Sequence, residues 1–373
     1  MRDLTARIVG AARHEHSPAP VAAAAVVVFI LFAIASPGDF PTVLNMQTIG
    51  AGDFPETTLL GMGVMLSMLV AGIDLSVAAV ADLSGVAMTE YFTASSHGAT
   101  APSGAAVVVI GVLIALAVGL GAGIVNGLLI GKLGITPILA TLATMELYGG
   151  LAVAWTGGKP LLAVPNALLS MANGQPAGIP GPFIVLVICV CLTAVLLNWT
   201  RFGLRAMLLG GNPAAAELSG ISELRVQVTA YAASGVLAGV AGIVIVARTA
   251  SATPDYGSSY VLLAVVISVL AGVDINGGFG TVLGVVLAGL TLAMVESGFA
   301  LLNFSQYSYE VAQGVILLVV LAGAAMFGRR RGLSGRRGRR THEEADQRPP
   351  AVRGRDAGGP AARASGHAPP GAG

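Results

Sequence analysis

The chain has 373 residues, 55% of them hydrophobic and 10% charged, with a mean hydropathy of +0.81 and a formal net charge of +1. That balance lies well outside the range of soluble globular domains and identifies an integral membrane protein. The two cysteines, Cys189 and Cys191, stand in an apolar run with no His or acid beside them, which excludes a disulfide framework and a zinc site.

Taken in chain order, Arg2, Arg7 and Arg13 precede VAAAAVVVFILFAIAS. A basic start, an apolar run and Ala33-Ile34-Ala35 also resemble a cleaved secretory signal, but an uncleaved first span fits better because a polytopic chain follows. A helix crossing a hydrocarbon core of roughly 30 Å needs about 20 mostly apolar residues. Apolar blocks, read against Gly, Pro and charge, predict such segments near 20–36, 57–72, 76–92, 105–131, 135–155, 182–199, 228–247, 259–272, 279–301 and 309–327. The expected fold is an all-α polytopic membrane protein of about ten transmembrane helices, with eight to eleven as bounds. The second, third and eighth segments are short enough to be broken or partly re-entrant. Residues 1–19 form a cytosolic segment, 20–328 the membrane domain and 329–373 a tail.

Between the second and third segments, AGIDLS places Asp74 inside or against a membrane-length apolar stretch. A carboxylate at the bilayer centre costs a few kcal/mol even on the lenient insertion scale, so it marks a functional site or a helix cap at the membrane edge. The span count puts Asp74 near the cytosolic mouth, echoed by Asp274 in AGVD, which favours a structural or gating residue at a helix break. Asp82, Glu90, Asn126, Glu146 and Glu296 are the other polar residues in or near spans.

The fourth segment carries Gly119, Gly123, Gly127 and Gly131, one every four residues. In a helix these line one face and admit a second backbone; Gly235 with Gly239 and Gly280 with Gly284 repeat the spacing. Glu146 of the fifth segment, near Tyr148 in a glycine-loosened helix, is compatible with a pathway residue or with packing against a donor on another span. Asn126, Glu296 and Asp74 are weaker pathway candidates. Trp155, Tyr256 and Tyr260 lie near predicted outer ends, where an interfacial belt is expected.

The loop from 200 to 227 contains a well-delimited short helix. Asn212 is a good N-cap, Pro213 suits the first helical position, Ala214, Ala215 and Ala216 are strong helix formers, and Gly220 supplies a left-handed stop. On physical grounds alone it is an ordinary loop helix or a docking element. From Arg329 the chain is rich in Arg, Gly, Pro and Ala, predicting a disordered cytosolic tail whose first residues lie on anionic lipid, with no role in nucleic-acid binding. With a cytosolic start, both termini, Lys132, Arg201, Arg205 and Arg225 fall inside, leaving Lys159 and Arg248 outside, as the positive-inside rule requires.

Four blocks carry a resemblance. GGNPAAAELSGI resembles the GGNPEAARLSGI loop of ribose-type ABC importer permeases, within the branched-chain amino acid and monosaccharide permease superfamily. AGIDLSVAAVADLSG is similar to their GGIDLSVGSVLALSG. NGLLIGKLGITPILATLATMELYGGLAVAWTGGKP and LAGVDINGGFGTVLGVVLAGL match two further stretches, in the family's order, across about residues 20–327.

The resemblance implies a permease subunit of the cell membrane that translocates a monosaccharide or similar small solute delivered by an extracytoplasmic binding protein. It implies a second permease copy or a similar permease as dimer partner, and a separate ABC ATPase subunit that holds ATP and Mg. The stretch Gly211, Asn212, Pro213, Ala214, Ala215, Ala216, Glu217, Leu218 to Gly220 would be the coupling helix that docks on that ATPase. The chain itself binds no cofactor or metal, and no G-x-x-x-x-G-K-[ST] occurs in it. It departs from the family pattern at Ala214, Glu217, Glu146, Gly149, Asp274 and the apolar Tyr260-Val261-Leu262-Leu263, which alters local ion pairing and the presumed pathway. Two other classes remain: a secondary transporter using Asp74 or Glu146 as a proton site, and an intramembrane enzyme, for which no nucleophile and base stand at helical spacing.

Overall fold

The computed structural model describes residues 18–96, 104–305, 307–316 and 318. The N-terminal segment before residue 18, His97, the end of the last expected span and the Arg-rich tail lie outside the described residues. The chain divides into two units, residues 1–321 and 322–373, and the described residues all belong to the first.

The described residues are helical, without strands; Leu161 and Ala252 form an isolated antiparallel bridge. The helices are α1 (Ala19–Ala35), α2 (Val43–Ala51), α3 (Phe54–Met68), α4 (Val77–Ala94), α5 (Ala105–Gly131), α6 (Pro137–Thr156), α7 (Asn166–Asn173), α8 (Gly181–Asn198), α9 (Arg201–Gly211), α10 (Pro213–Leu218), α11 (Glu223–Thr249), α12 (Tyr260–Leu270) and α13 (Val282–Leu301). Residues 307–316 are again helical.

Among these, α5, α6, α8, α11 and α13 are long and apolar enough to cross a membrane by themselves. Each of the ten segments expected from the sequence overlaps a helix, but α12, with 11 residues, rises only about 16 Å and cannot cross the hydrocarbon alone. The short second, third and eighth segments correspond to one helix each, α3, α4 and α12, and each borders a non-helical break. α3 and α4 are separated by a non-helical stretch through Asp74, in which Ala71 has a φ of +59°. α12 and α13 are separated by a second break, with Gly272, Gly277 and Gly278 at positive φ.

Burial separates inner from outer helices. Every residue of α3 is buried, and most of α11. α5, α6 and α8 keep broad apolar faces exposed, including Leu113, Leu139, Leu147 and Leu192. Lipid is as apolar as leucine, so hydrophobicity does not drive these helices together; close backbone fit does. The glycine stripe of α5 supplies that fit against α11. A β-carbon on Gly119 would overlap the Gly235 carbonyl, one on Gly123 the Tyr231 carbonyl, and one on Gly127 would lie 2.6 Å from Cα of Val228. Gly284 is different: its missing β-carbon makes room for Ala271 and Thr281 of its own break.

Contacts sort the connections to two ends. At one end, here the Arg248 end, Leu161 pairs with Ala252 and Arg248 of α11 meets Asp53 and Glu56 at the start of α3. At the other, the Asp274 end, the two breaks meet one another and α9. Lys159 belongs to the first end, whereas Lys132, Arg201, Arg205 and Arg225 flank helix termini at the second.

Candidate functional site

A cavity of about 610 Å³ lies beside the middle of α6. Its walls are Ala79 and Asp82 of α4, Glu146, Gly149 and Gly150 of α6, and Pro254, Asp255 and Ser258 of the segment before α12. Gly149 and Gly150 contact nothing where side chains would be, so they leave the wall open instead of packing it. Asp82 is buried and both its oxygens accept from the Gly257 N–H, at 3.0 and 2.9 Å, which pins the short turn Tyr256–Ser259 onto α4. Glu146, Asp255 and Ser258 are exposed to the cavity side. Three carboxylates therefore face the space, with no Lys, Arg or His among its described lining residues.

Asp74 is 2% exposed and does not line this cavity. Its Oδ1 accepts from the Ser76 N–H (3.0 Å) and hydroxyl (2.7 Å), and its Oδ2 accepts from Ser234 Oγ of α11 (2.9 Å). The Asn126 amide of α5 donates to Ser76 Oγ at 2.7 Å, and Thr141 of α6 donates to the Ile73 carbonyl at 3.0 Å. Asp74 thus sits at the positive N-terminal end of α4 and bonds α11 directly, while its neighbours Ser76 and Ile73 hold α5 and α6 to the same break. Asn126 is fully buried in this network, away from the cavity.

The Arg248 end holds a charged cluster that spacing along the chain cannot reveal. Arg248 donates through Nη2 to Glu56 Oε1 (2.8 Å) and Tyr256 OH (2.6 Å) and through Nε to Glu56 Oε2 (3.2 Å), and it pairs with Asp53 at 2.7 Å. Glu56 is fully buried, so the fork of the guanidinium compensates its charge. Glu296 of α13, half-buried, lies within electrostatic reach of Asp53 and Arg248 and not in the cavity wall. Tyr256 and Tyr260, expected at an interface, turn inward to this cluster with their hydroxyls 3.4 Å apart and Tyr260 buried, while Trp155 remains 55% exposed. The polar ends of the two tyrosines have partners inside the bundle, which outweighs a place among headgroups.

At the opposite end, the 200–227 loop contains two helices, not the one expected. Thr200 caps α9 by accepting from the Phe202 N–H. Asn212 then caps α10 as expected: its Oδ1 accepts from the Ala215 N–H at 3.1 Å, Pro213 opens the helix, and Gly220 follows at a φ of +74°. Gly211, Ala214, Ala215, Glu217 and Leu218 face outward, Leu218 at 92% exposure, whereas Ala216 is buried against the bundle.

The sequence profile of a family described as branched-chain amino acid transport system / permease component matches residues 46–321. The L-arabinose transport system permease protein of Escherichia coli K12 is 32% identical over 303 residues, covering 79% of this chain and 86% of its own. The ribose import permease protein of Bacillus subtilis 168 is 34% identical over 271 residues, covering 70% and 79%. The ribose import permease protein of Escherichia coli K12 is 32% identical over 302 residues, covering 79% and 91%. No solved structure matches the chain.

Proposed function

We propose, from the premise that this chain belongs to the branched-chain amino acid transport system / permease component family, that it passes a neutral, hydroxyl-rich solute of monosaccharide size through the cavity beside α6. The chain is the permease subunit of an ABC importer, a multi-pass protein of the inner membrane and not an enzyme. The observation that carries the solute class is the cavity lining. Carboxylates accept hydrogen bonds from sugar hydroxyls and Ser258 both accepts and donates, while the exposed carboxylates of Glu146 and Asp255, without a cation beside them in the lining, disfavour an anionic solute. The bonds on offer are few and the walls otherwise apolar, as a path must be if solute is to leave as readily as it enters. The names of the relatives, ribose and arabinose permeases, support the same class.

The Gly211–Gly220 segment docks on a separate ATPase subunit, which holds ATP and Mg; this chain binds neither. Support comes from the capped, outward-facing α10 and its nearly naked Leu218. The Asp274 end, with Lys132, Arg201, Arg205 and Arg225, faces the cytosol together with both termini. An extracytoplasmic binding protein delivers solute at the Arg248 end. Two permeases pair, lipid covers the remaining apolar faces of α5, α6 and α8, and α3–α4, α12–α13 and the helix over 307–316 belong to a count of about ten crossings. The membrane domain runs over 20–328, supported by the profile's reach to residue 321, and is followed by a cytosolic tail. ATP-driven closure of the ATPase pair shifts the population from outward to inward access through differential contacts with α10.

The test is purification of the full chain from native membranes in mild detergent, identification of co-purifying chains, and ATPase assays with D-ribose, L-arabinose and their acid derivatives. Co-purification of an ATPase stimulated by neutral sugars is expected. Recovery of no ATPase, with uncoupler-sensitive uptake by the chain alone, overturns the reading.

A further inference from the structure

The last turn of α9 sits in a notch between the two helix breaks. A β-carbon on Gly210 would overlap both the Leu69 carbonyl of the first break and the Gly278 N–H of the second, and would lie 3.0 Å from the carbonyl carbon of Gly277. Those two breaks are joined directly there, by the Gly278 N–H donating to the Leu69 carbonyl at 3.0 Å. Gly277, at a φ of +93°, approaches Ala71 from the other side: its missing β-carbon would lie 2.7 Å from the Ala71 nitrogen. α9 and α10 share Asn212, which ends one helix and caps the other. A small second core continues the joint, with Ala206 and Leu209 of α9 and Ala216 of α10 buried against Val70 of the first break and Val226 and Tyr231 of α11. The first break in turn holds α6 through Ile73 and Thr141, and α6 carries Glu146 into the cavity.

We propose that Gly210 is a positioning residue that locks the two breaks together and makes them move as one with α10. The inference rests on the reading of Gly211–Gly220 as the ATPase-docking segment. The reason for glycine is steric: any side chain here separates three backbones that meet at one point. A bistable joint requires both breaks to respond together, and that joint response is what the measurements read.

Two measurements decide it. In the full chain in lipid nanodiscs, Gly210→Ala should raise amide hydrogen exchange about tenfold in both 69–76 and 272–280, while Leu208→Ala, an exposed neighbour on α9, should leave both within about twofold. Loosening of one break alone, or of neither, overturns the proposal. In the second, Ile275→Cys is labelled in a Cys189→Ser, Cys191→Ser background with the co-purified ATPase, with and without ATP and vanadate. Labelling should change at least fivefold in the parent and stay flat in Gly210→Ala, although the ATPase remains bound and hydrolyses ATP. A parent-like response in the variant overturns the proposal. Loss of the ATPase from parent and variant alike refutes the docking reading instead, and the exchange comparison still decides the joint. If Gly210→Ala fails to insert, exchange of the parent complex with and without ATP and vanadate replaces it: the two breaks must change protection together, and a change in one alone overturns the joint.

Discussion

Arg248 and Glu56 show what one residue decides in this bundle. Removing the cation strands a fully buried carboxylate, so Arg248→Met should destabilise the protein by about 3–5 kcal/mol, the cost of breaking a buried pair by one partner. Arg248→Lys keeps the charge but loses the fork that reaches Glu56 Oε1 and Oε2, so it should fall between the two. Thermal unfolding in detergent reads both; a lysine variant as weak as the methionine variant would show that charge alone contributes little. In the cavity, Glu146 acts by sign. Glu146→Gln should raise the uptake of an acidic sugar analogue relative to the neutral sugar on the order of tenfold, because one of the two exposed lining carboxylates, Glu146 and Asp255, is gone. An unchanged ratio in competition uptake places solute elsewhere. Asp74 illustrates the limit of reading residues singly: an acid in an apolar stretch announces importance, but only its bonds to Ser76 and Ser234 show that it fastens a helix break outside the cavity lining.

At the scale of the element, glycine position governs packing. Gly123 meets the Tyr231 carbonyl across α5 and α11, so Gly123→Ala overpacks that contact and should cost about 1–3 kcal/mol. Gly121, two residues away with nothing within 4 Å, should instead gain up to about 1 kcal/mol from Gly121→Ala through helix propensity. Unfolding temperatures that move in the same direction would contradict the seam between α5 and α11. For α10, Asn212→Ala with Pro213→Gly removes the cap and the preset first turn, worth about 1 kcal/mol for the cap. Coupled uptake should drop several-fold while membrane insertion is retained; normal uptake refutes the docking assignment. The caps and the four-residue glycine period are local, and that is why α10 and the glycine face of α5 were legible from sequence. α9 was not, because RFGLRAMLLGG mixes glycines into a helix held by its packing on the breaks and not by propensity.

For the whole molecule, the distribution of Lys and Arg predicts the sidedness. Single cysteines at Arg225 and Lys159, in the Cys189→Ser, Cys191→Ser background, should label from opposite faces of oriented vesicles, Arg225→Cys from the cytosolic face. Labelling of both from one face would overturn the orientation. The sequence by itself determined the class of protein, the shortness of the second, third and eighth segments, the capped α10 and the four signature blocks, because each rests on hydrophobic runs, caps or motifs contained within about 30 consecutive residues. Tertiary structure decided which acids line the cavity, which acid pairs with Arg248, and that the two breaks meet at Gly210. Those contacts join residues as far apart as Glu56 and Arg248, 192 positions, or Asp82 and Gly257, 175 positions. No local pattern encodes such pairs; they exist only once close backbone packing has brought the helices together.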